Sequence, residues 1–316
     1  MIGHLVSGHP VLFIVGATGT GKSRLALEIG RSHGLPVVNA DSVQVYQKVN
    51  IGTAKATAEE QAQVPHYLLD EVPPPETFTA GDFRRRALEI IAKLVPQSPV
   101  LVVGGSGFYI QALQKGMYET SVVDEDILEQ LQTEKDEKGL LALYEELQQR
   151  DPISAGKISD QDAYRVLRAV ALIRSHGKTP SQIHEEFVRQ KEQAFPYPMA
   201  TLGLKMNRDH LRLRVRQRTE EMLTQGLIEE VEALVAKGWG GWSPMQSVGY
   251  KETQAYLRGE FDRQQLVEEI TKNTMRLAKR QGTWFRRDPA IRWFDAESEW
   301  AQALRFAQDF IWGERS

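Results

Sequence analysis

The amino-acid sequence predicts an α/β fold: a parallel sheet flanked by helices and interrupted by an all-helical insertion. The apolar run Val11-Leu12-Phe13-Ile14-Val15 passes through a glycine-rich turn into Arg24-Leu25-Ala26-Leu27-Glu28-Ile29, a buried strand followed by an amphipathic helix. Short apolar runs at 35–40, 99–103, 199–205 and 291–295 alternate with helical patterns, as in successive βα units. From 116 to 198 strand-like runs vanish, and Leu, Glu, Gln and Lys recur at helical spacing, notably over 125–149. At 316 residues the chain is long for one domain. The expected division is an α/β core with C-terminal helices over 1–115 and 199–316, and a helical insertion over 116–198.

The first turn carries the strongest chemistry. Gly16-Ala17-Thr18-Gly19-Thr20-Gly21-Lys22-Ser23 fits G-x-x-x-x-G-K-[ST], the phosphate-binding loop of a P-loop NTPase-like core. Glycines let successive backbone N–H groups converge on phosphate oxygens, the helix N-terminus adds a favourable dipole, and Lys22 adds charge. Ser23 is the residue expected to ligate Mg²⁺.

The second apolar run delivers Asp41-Ser42-Val43-Gln44-Val45-Tyr46 at its carboxyl end, the side of an open α/β sheet that faces the ligand crevice. Asp41 therefore reads either as a crevice carboxylate or as a helix N-cap. The third run ends in Gly104-Gly105-Ser106, where a nucleoside-triphosphate hydrolase carries an acidic Mg²⁺ partner. That difference points away from ATP hydrolysis. His66 lacks ligand spacing and reads as structural. The run Gly238-Trp239-Gly240-Gly241-Trp242 reads as a flexible aromatic loop.

Hydrophobic residues make up 41% and charged residues 26%, ordinary for a globular protein. The net charge of −3 argues against general polyanion binding, so any nucleic-acid site is a local basic patch. The absence of cysteine excludes disulfides, thiolate catalysis and Cys-based zinc sites. No apolar run reaches membrane-spanning length and no signal pattern opens the chain, so a cytoplasmic protein is expected. Two basic patches stand out. Arg208, Arg212, Arg214, Arg216 and Arg218 fall within eleven residues, with Arg214 and Arg218 on one helical face. Lys272, Arg276, Lys279, Arg280, Arg286 and Arg287 follow without a carboxylate among them, and Trp284 and Phe285 lie between. Cations track a phosphate backbone and aromatic faces stack on unpaired bases; a packed Trp-Phe pair beside a basic surface is the other reading.

Together these motifs resemble the bacterial-type tRNA dimethylallyltransferases. The resemblance rests on the phosphate loop 16–23, Asp41-Ser42 with Gln44-Val45-Tyr46, Ile51-Gly52-Thr53-Ala54-Lys55, and Val103-Gly104-Gly105-Ser106-Gly107-Phe108-Tyr109. Gly249-Tyr250-Lys251-Glu252, Ala278-Lys279-Arg280-Gln281 and Thr283-Trp284-Phe285-Arg286 complete it, in the family's order and across nearly the whole chain. Gln47, Ala56, Ala171, Leu277 and the turn Asp160-Gln161-Asp162 depart from the family pattern.

The resemblance implies transfer of a dimethylallyl group from its diphosphate to N6 of the adenine 3′ of the anticodon, in tRNAs reading codons that begin with U. It implies Mg²⁺ and a flipped base reached through a channel; a monomer without a membrane partner is expected. Asp41 would be the general base, and Thr18 would bond the bridging oxygen. Arg214, Lys22 and the loop amides would stabilise the departing diphosphate. Asp41, Ser42, Val43, Gln44 and Ser106 would meet the target base and its RNA, with Gln44 offering both donor and acceptor. The insertion residues Tyr164, Arg165, Val166, Leu167 and Arg168 would grip the anticodon stem-loop, as would Lys279, Arg280, Gln281, Trp284 and Arg286. A small-molecule P-loop kinase and an adenylate prenyltransferase share the loop, but neither needs the basic segment 271–287.

Overall fold

The computed structural model describes residues 8–117, 125–189 and 195–313. Among the described residues six strands form one sheet: β1 (Val11–Gly16), β2 (Val37–Asn39), β3 (His66–Tyr67), β4 (Val100–Gly104), β5 (Met199–Lys205) and β6 (Ile291–Asp295). Their order is β3-β2-β4-β1-β5-β6 and every pairing is parallel. The expected parallel α/β sheet is thus observed. All six residues of β1 are buried, as a central parallel strand covered on both faces requires; hence its unbroken apolar sequence.

Fourteen helices occur among the described residues. Those of the core are α1 (Lys22–His33), α2 (Ala58–Gln63), α3 (Ala80–Leu94), α4 (Gly107–Lys115), α10 (Arg208–Thr224), α11 (Leu227–Ala236), α12 (Tyr250–Leu257), α13 (Arg263–Phe285) and α14 (Trp300–Trp312). Their starts are readable in the sequence. Thr57 with Glu60, Thr79 with Asp82 and Asp262 with Gln265 form reciprocal capping boxes, each satisfying otherwise orphaned N–H groups. Helices α1 and α14 cover one face of the sheet, where Leu25, Ile29, Ala303 and Ile311 pack against Leu12, Ile14, Leu101 and Leu202. A second apolar cluster joins Val45, Tyr46 and Val49 to α11, α12 and α13 through Leu227, Tyr250 and Ile270.

The insertion contains α5 (Glu125–Lys138), α6 (Leu140–Arg150), α7 (Pro152–Ala155), α8 (Ala163–His176) and α9 (Pro180–Arg189). Gly139 separates α5 from α6, dividing the helical run expected over 125–149. Leu131, Leu143, Leu147, Val166, Val170 and Ile173 make a core of its own. Arg174 Nη1 reaches Glu134 at 2.8 Å and its other nitrogens bond Glu146.

The chain divides into one unit of 1–114 with 195–316 and another of 115–194. The sequence-based boundary after 198 falls four residues later, because Phe195 belongs to the sheet unit. Its ring meets Phe13 edge-on at 5.4 Å, anchoring the segment before β5 begins. The Gly/Trp segment also differs from expectation. Trp239–Gly241 forms a 3₁₀ turn, and Trp242 is buried with its Nε1 donating to the Glu76 carbonyl at 2.8 Å. An indole that finds both an apolar bed and an acceptor fixes the segment. Among the described residues no helix is long and apolar enough to cross a membrane.

Candidate active site

The carboxyl ends of β1, β2 and β4 lie side by side in the sheet, so the phosphate loop, Asp41 and Ser106 come from adjacent edges. Helix α1 opens at Gly21, whose φ of 99° suits a residue without Cβ, and no side chain caps it. Its first turn contains no acidic residue. Uncapped N–H groups and the positive end of the helix dipole make this terminus an anion site. Lys22 Nζ donates to the Ala17 carbonyl at 2.8 Å, within the loop. Burial lowers its pKa to about 8; Asp41 opposes this and Arg218 adds to it. Ser23 stands exposed at the second helical position.

Asp41 is not a helix N-cap, since no helix follows β2 until Ala58; it caps a turn instead. Its Oδ1 accepts from the amides of Val43 at 2.9 Å and Gln44 at 3.3 Å, capping the turn that follows β2. The same residue lines a cleft of about 120 Å³ with Thr18 and Arg218, walled by Val43, Val215, Met222 and Ile270. A carboxylate and a phosphate loop therefore open on one largely apolar space.

Ser42 and Ser106 meet directly: the Ser42 amide donates to Ser106 Oγ at 2.9 Å, and the two hydroxyls lie 3.2 Å apart. Gln44 differs from expectation. Its Nε2 donates to the carbonyls of Thr53 at 3.0 Å and Ala54 at 3.4 Å, so the side chain offers its acceptor Oε1 to a ligand.

The turn that holds Gln44 is itself clamped. Glu230 of α11 accepts from the amides of Asn50 at 3.0 Å, Ile51 at 3.0 Å and Gly52 at 3.4 Å, and from the Tyr250 hydroxyl at 2.5 Å. Lys55, its side chain almost fully covered, donates to Tyr46 O, Asn50 Oδ1 and Asp70 Oδ1. Glu230→Ala would strip the acceptor from this whole group. The expected result is a loss of about 2–4 kcal/mol of stability, read as a lowered denaturation midpoint, with Glu230→Gln keeping most of it.

Helix α13 closes the site in an unexpected way. Gln281, an RNA-contact candidate, places its Oε1 2.8 Å from the Thr18 amide and so sits on the phosphate loop. Lys279, Arg280, Trp284 and Arg286 are exposed on the last turns of the helix. The arginines of α10 divide between two faces. Arg218 lines the cleft, and a Cβ on Gly21 would stand 3.9 Å from Arg214 Nη1. Arg208, Arg212 and Arg216 instead line a wide groove of about 1160 Å³ with Lys272, Arg276 and Lys279. Arg218 is the residue that sequence reasoning passed over in favour of Arg214, although the i, i+4 spacing linked them. Arg218 is held below the usual guanidinium range by burial and by Arg214.

Within the insertion, Tyr164 is 78% exposed and Arg165 pairs with Asp162 at 3.4 Å. Val166, placed by the resemblance among the RNA contacts, is wholly buried in that unit's core, and Leu167 packs against it. The Val166 side chain thus faces inward on α8 and supports the helix, whereas Leu167 is only partly covered.

A glycine-rich loop, an uncapped helix N-terminus and a carboxylate over an apolar cleft define a P-loop α/β protein built to hold a phosphorylated compound. Comparison with known proteins narrows this. The model of the IPP transferase family matches residues 44–288. The tRNA dimethylallyltransferase of Bdellovibrio bacteriovorus is 47% identical over 302 residues, covering 95% of this chain and 98% of that relative. The same-named protein of Nostoc punctiforme is 40% identical over 288 residues, 91% of this chain and 92% of its own. Among solved structures, the full-length tRNA isopentenylpyrophosphate transferase of Bacillus halodurans aligns with a TM-score of 0.68 at 31% identity, over 96% of this chain and 97% of that one. A eukaryotic dimethylallyltransferase acting on tRNA shares the fold with a TM-score of 0.80 at 24% identity, over 96% and 79% of the two chains. The chain belongs to the IPP transferase family.

Proposed function

We propose that this protein is a tRNA dimethylallyltransferase. It moves the dimethylallyl group from dimethylallyl diphosphate to N6 of the adenine next to the anticodon on its 3′ side, in tRNAs reading codons that begin with U, and releases diphosphate. The observation that carries this reading is the shared cleft, where Thr18 of the phosphate loop and Asp41 face one space walled by Val43, Val215, Met222 and Ile270. Diphosphate suits the loop, an apolar five-carbon chain suits the walls, and the carboxylate lies beside both.

In this reading N6 attacks the allylic carbon, forming the C–N bond as the C–O bond to diphosphate breaks. Asp41 takes the N6 proton, which raises the nucleophilicity of an otherwise weak amine. The electron pair of the broken bond leaves on the diphosphate. Loop amides, Lys22 and Arg214 stabilise that charge, and Thr18 bonds the bridging oxygen as charge develops there. Gln44 Oε1 accepts from the adenine edge while the Asx turn holds Asp41 in register. Flipping a base from a loop costs less than opening a duplex, which suits this target.

A divalent metal, Mg²⁺, fits the donor set. No group of three His, Asp or Glu among the described residues gathers to cage an ion. Mg²⁺ commonly keeps several waters and relies on few protein oxygens together with substrate phosphates; Ser23 would supply the protein oxygen here. When bound, the ion neutralises diphosphate charge. The protein acts as a cytoplasmic monomer, with Ser42, Ser106 and the basic end of α13 toward the RNA and Tyr164, Arg165 and Arg168 of the insertion as further RNA contacts.

The test is direct: purified protein, dimethylallyl diphosphate, Mg²⁺ and a cognate anticodon stem-loop should yield RNA carrying a five-carbon unit on adenine by mass spectrometry. Unchanged RNA with folded protein overturns the reading, whereas modification of AMP but not RNA replaces it with an adenylate prenyltransferase. Replacing both Lys279 and Arg280 by Ala should weaken RNA binding. It should also lower the slope of log affinity against log salt by about 1–2, measured by titration over a salt series.

A further inference from the structure

We infer that Phe108 and Trp284 form a stacking platform for the unpaired base adjacent to the target adenine, an inference that rests on the tRNA reading above. Phe108 lies in the first turn of α4 and is 55% exposed, while its neighbours Tyr109 and Ile110 are buried. The core therefore does not need this ring. Trp284, from the far end of α13, is 38% exposed and meets Phe108 edge-to-face, with centroids 6.4 Å apart and planes at 88°. The backbone between β4 and α4 admits the indole because residue 107 is glycine; a Cβ there would collide with the Trp284 ring.

The pair neighbours the candidate site along the chain: Phe108 is two residues from Ser106, and Trp284 three from Gln281. Ser106 accepts from the Ser42 amide, next to Asp41. A Cβ on Gly105 would stand 2.6 Å from Gln281 Nε2, whose amide oxygen holds Thr18. An exposed aromatic pair could accept a protein, a membrane or a base, and its electrostatic setting selects among them. Lys279, Arg280, Arg286 and Arg287 are exposed on the same end of α13. The segment 271–287 contains no carboxylate. Cations beside open aromatic faces match a single-stranded nucleic acid, with phosphates on the cations and a base on the rings. In the tRNA reading the target base enters the cleft at Asp41, which leaves the rings to its neighbour in the loop.

A double-mutant cycle tests this. The prenylation kcat/KM is measured for the wild type, Phe108→Ala and Trp284→Phe on an intact anticodon stem-loop. It is also measured on two stem-loops made abasic immediately 5′ or 3′ of the target adenine. Stacking predicts that one abasic site lowers the wild-type value about tenfold, that Phe108→Ala costs a similar factor on intact RNA, and that combining them costs little more. Trp284→Phe, which keeps an aromatic face, should retain most activity. Losses that multiply, or no loss in Phe108→Ala, overturn the platform while prenylation by the wild type leaves the tRNA reading standing. If the wild type prenylates none of these RNAs, that reading falls and takes the platform with it. An unchanged melting temperature for Phe108→Ala separates lost stacking from lost folding.

Discussion

Asp41→Asn is expected to slow prenyl transfer by about 10²–10⁴ while RNA affinity stays near the wild-type value. Asparagine keeps an Oδ1 that accepts from the Val43 and Gln44 amides, so the turn after β2 survives the exchange. What disappears is the carboxylate charge that the proposed reaction uses as its base. The charge also acts on the loop, where Asp41 raises the pKa of Lys22 against the burial that lowers it. Its removal should therefore move the Lys22 titration further down. Single-turnover rates, with RNA affinity measured separately, divide the effects: a lower rate at unchanged affinity supports the base, and near-normal turnover removes Asp41 from the chemistry.

Lys22→Met is the second large effect, about 10²–10³ in rate, the usual loss when one donor to a developing anion is removed. Its pH behaviour follows from the lowered pKa. Lys22 is charged below about 8 and neutral above, so the affinity of the free protein for inorganic diphosphate should fall as pH rises through 8. Calorimetric titration across pH 7–9 should show this, and Lys22→Met should flatten it. Stability runs the other way. Between about 8 and its ordinary value of 10.5 the unfolded chain binds this proton more tightly than the folded one, so folding is favoured as pH rises through that window. Denaturation of wild type and Lys22→Met at pH 7 and at pH 10 isolates the contribution. The variant should hold its largest stability advantage at pH 7, where the wild type buries a charge.

The reach of the sequence shows in particular residues. The phosphate loop was legible because its chemistry is local: eight consecutive residues fix strand, turn and helix. Asp41 was legible because a short apolar run ends on it. The division of the α10 arginines was only half legible. Spacing places Arg214 and Arg218 on one face, but which face meets the cleft depends on α13 packing beside it through Leu211, Val215 and Ala278. Strand β3, two residues long, gives no periodicity to read and exists through its pairing with Val37 and Val38. Gln281 on Thr18 and Glu230 under Asn50, Ile51 and Gly52 join residues separated by more than half the chain. No local pattern encodes such contacts. Val166 shows the reverse error: a motif transferred as a block carried an inward-facing residue along with exposed neighbours.

The sheet order has a consequence for how the molecule is made. Val11 pairs with Val100 on one side and Met199 on the other, so β1 is held between strands synthesised long after it. The helical insertion is translated in between, and with its own apolar core it has the makings of a domain that condenses while β1 still lacks a neighbour. Until β5 emerges, one edge of β1 stays open, and β6 and α14, which complete the sheet and its cover, are translated later still. Distant pairings of this kind fold slowly. The interval between translation of β1 and of β5 is accordingly when the nascent chain most needs protection from aggregation.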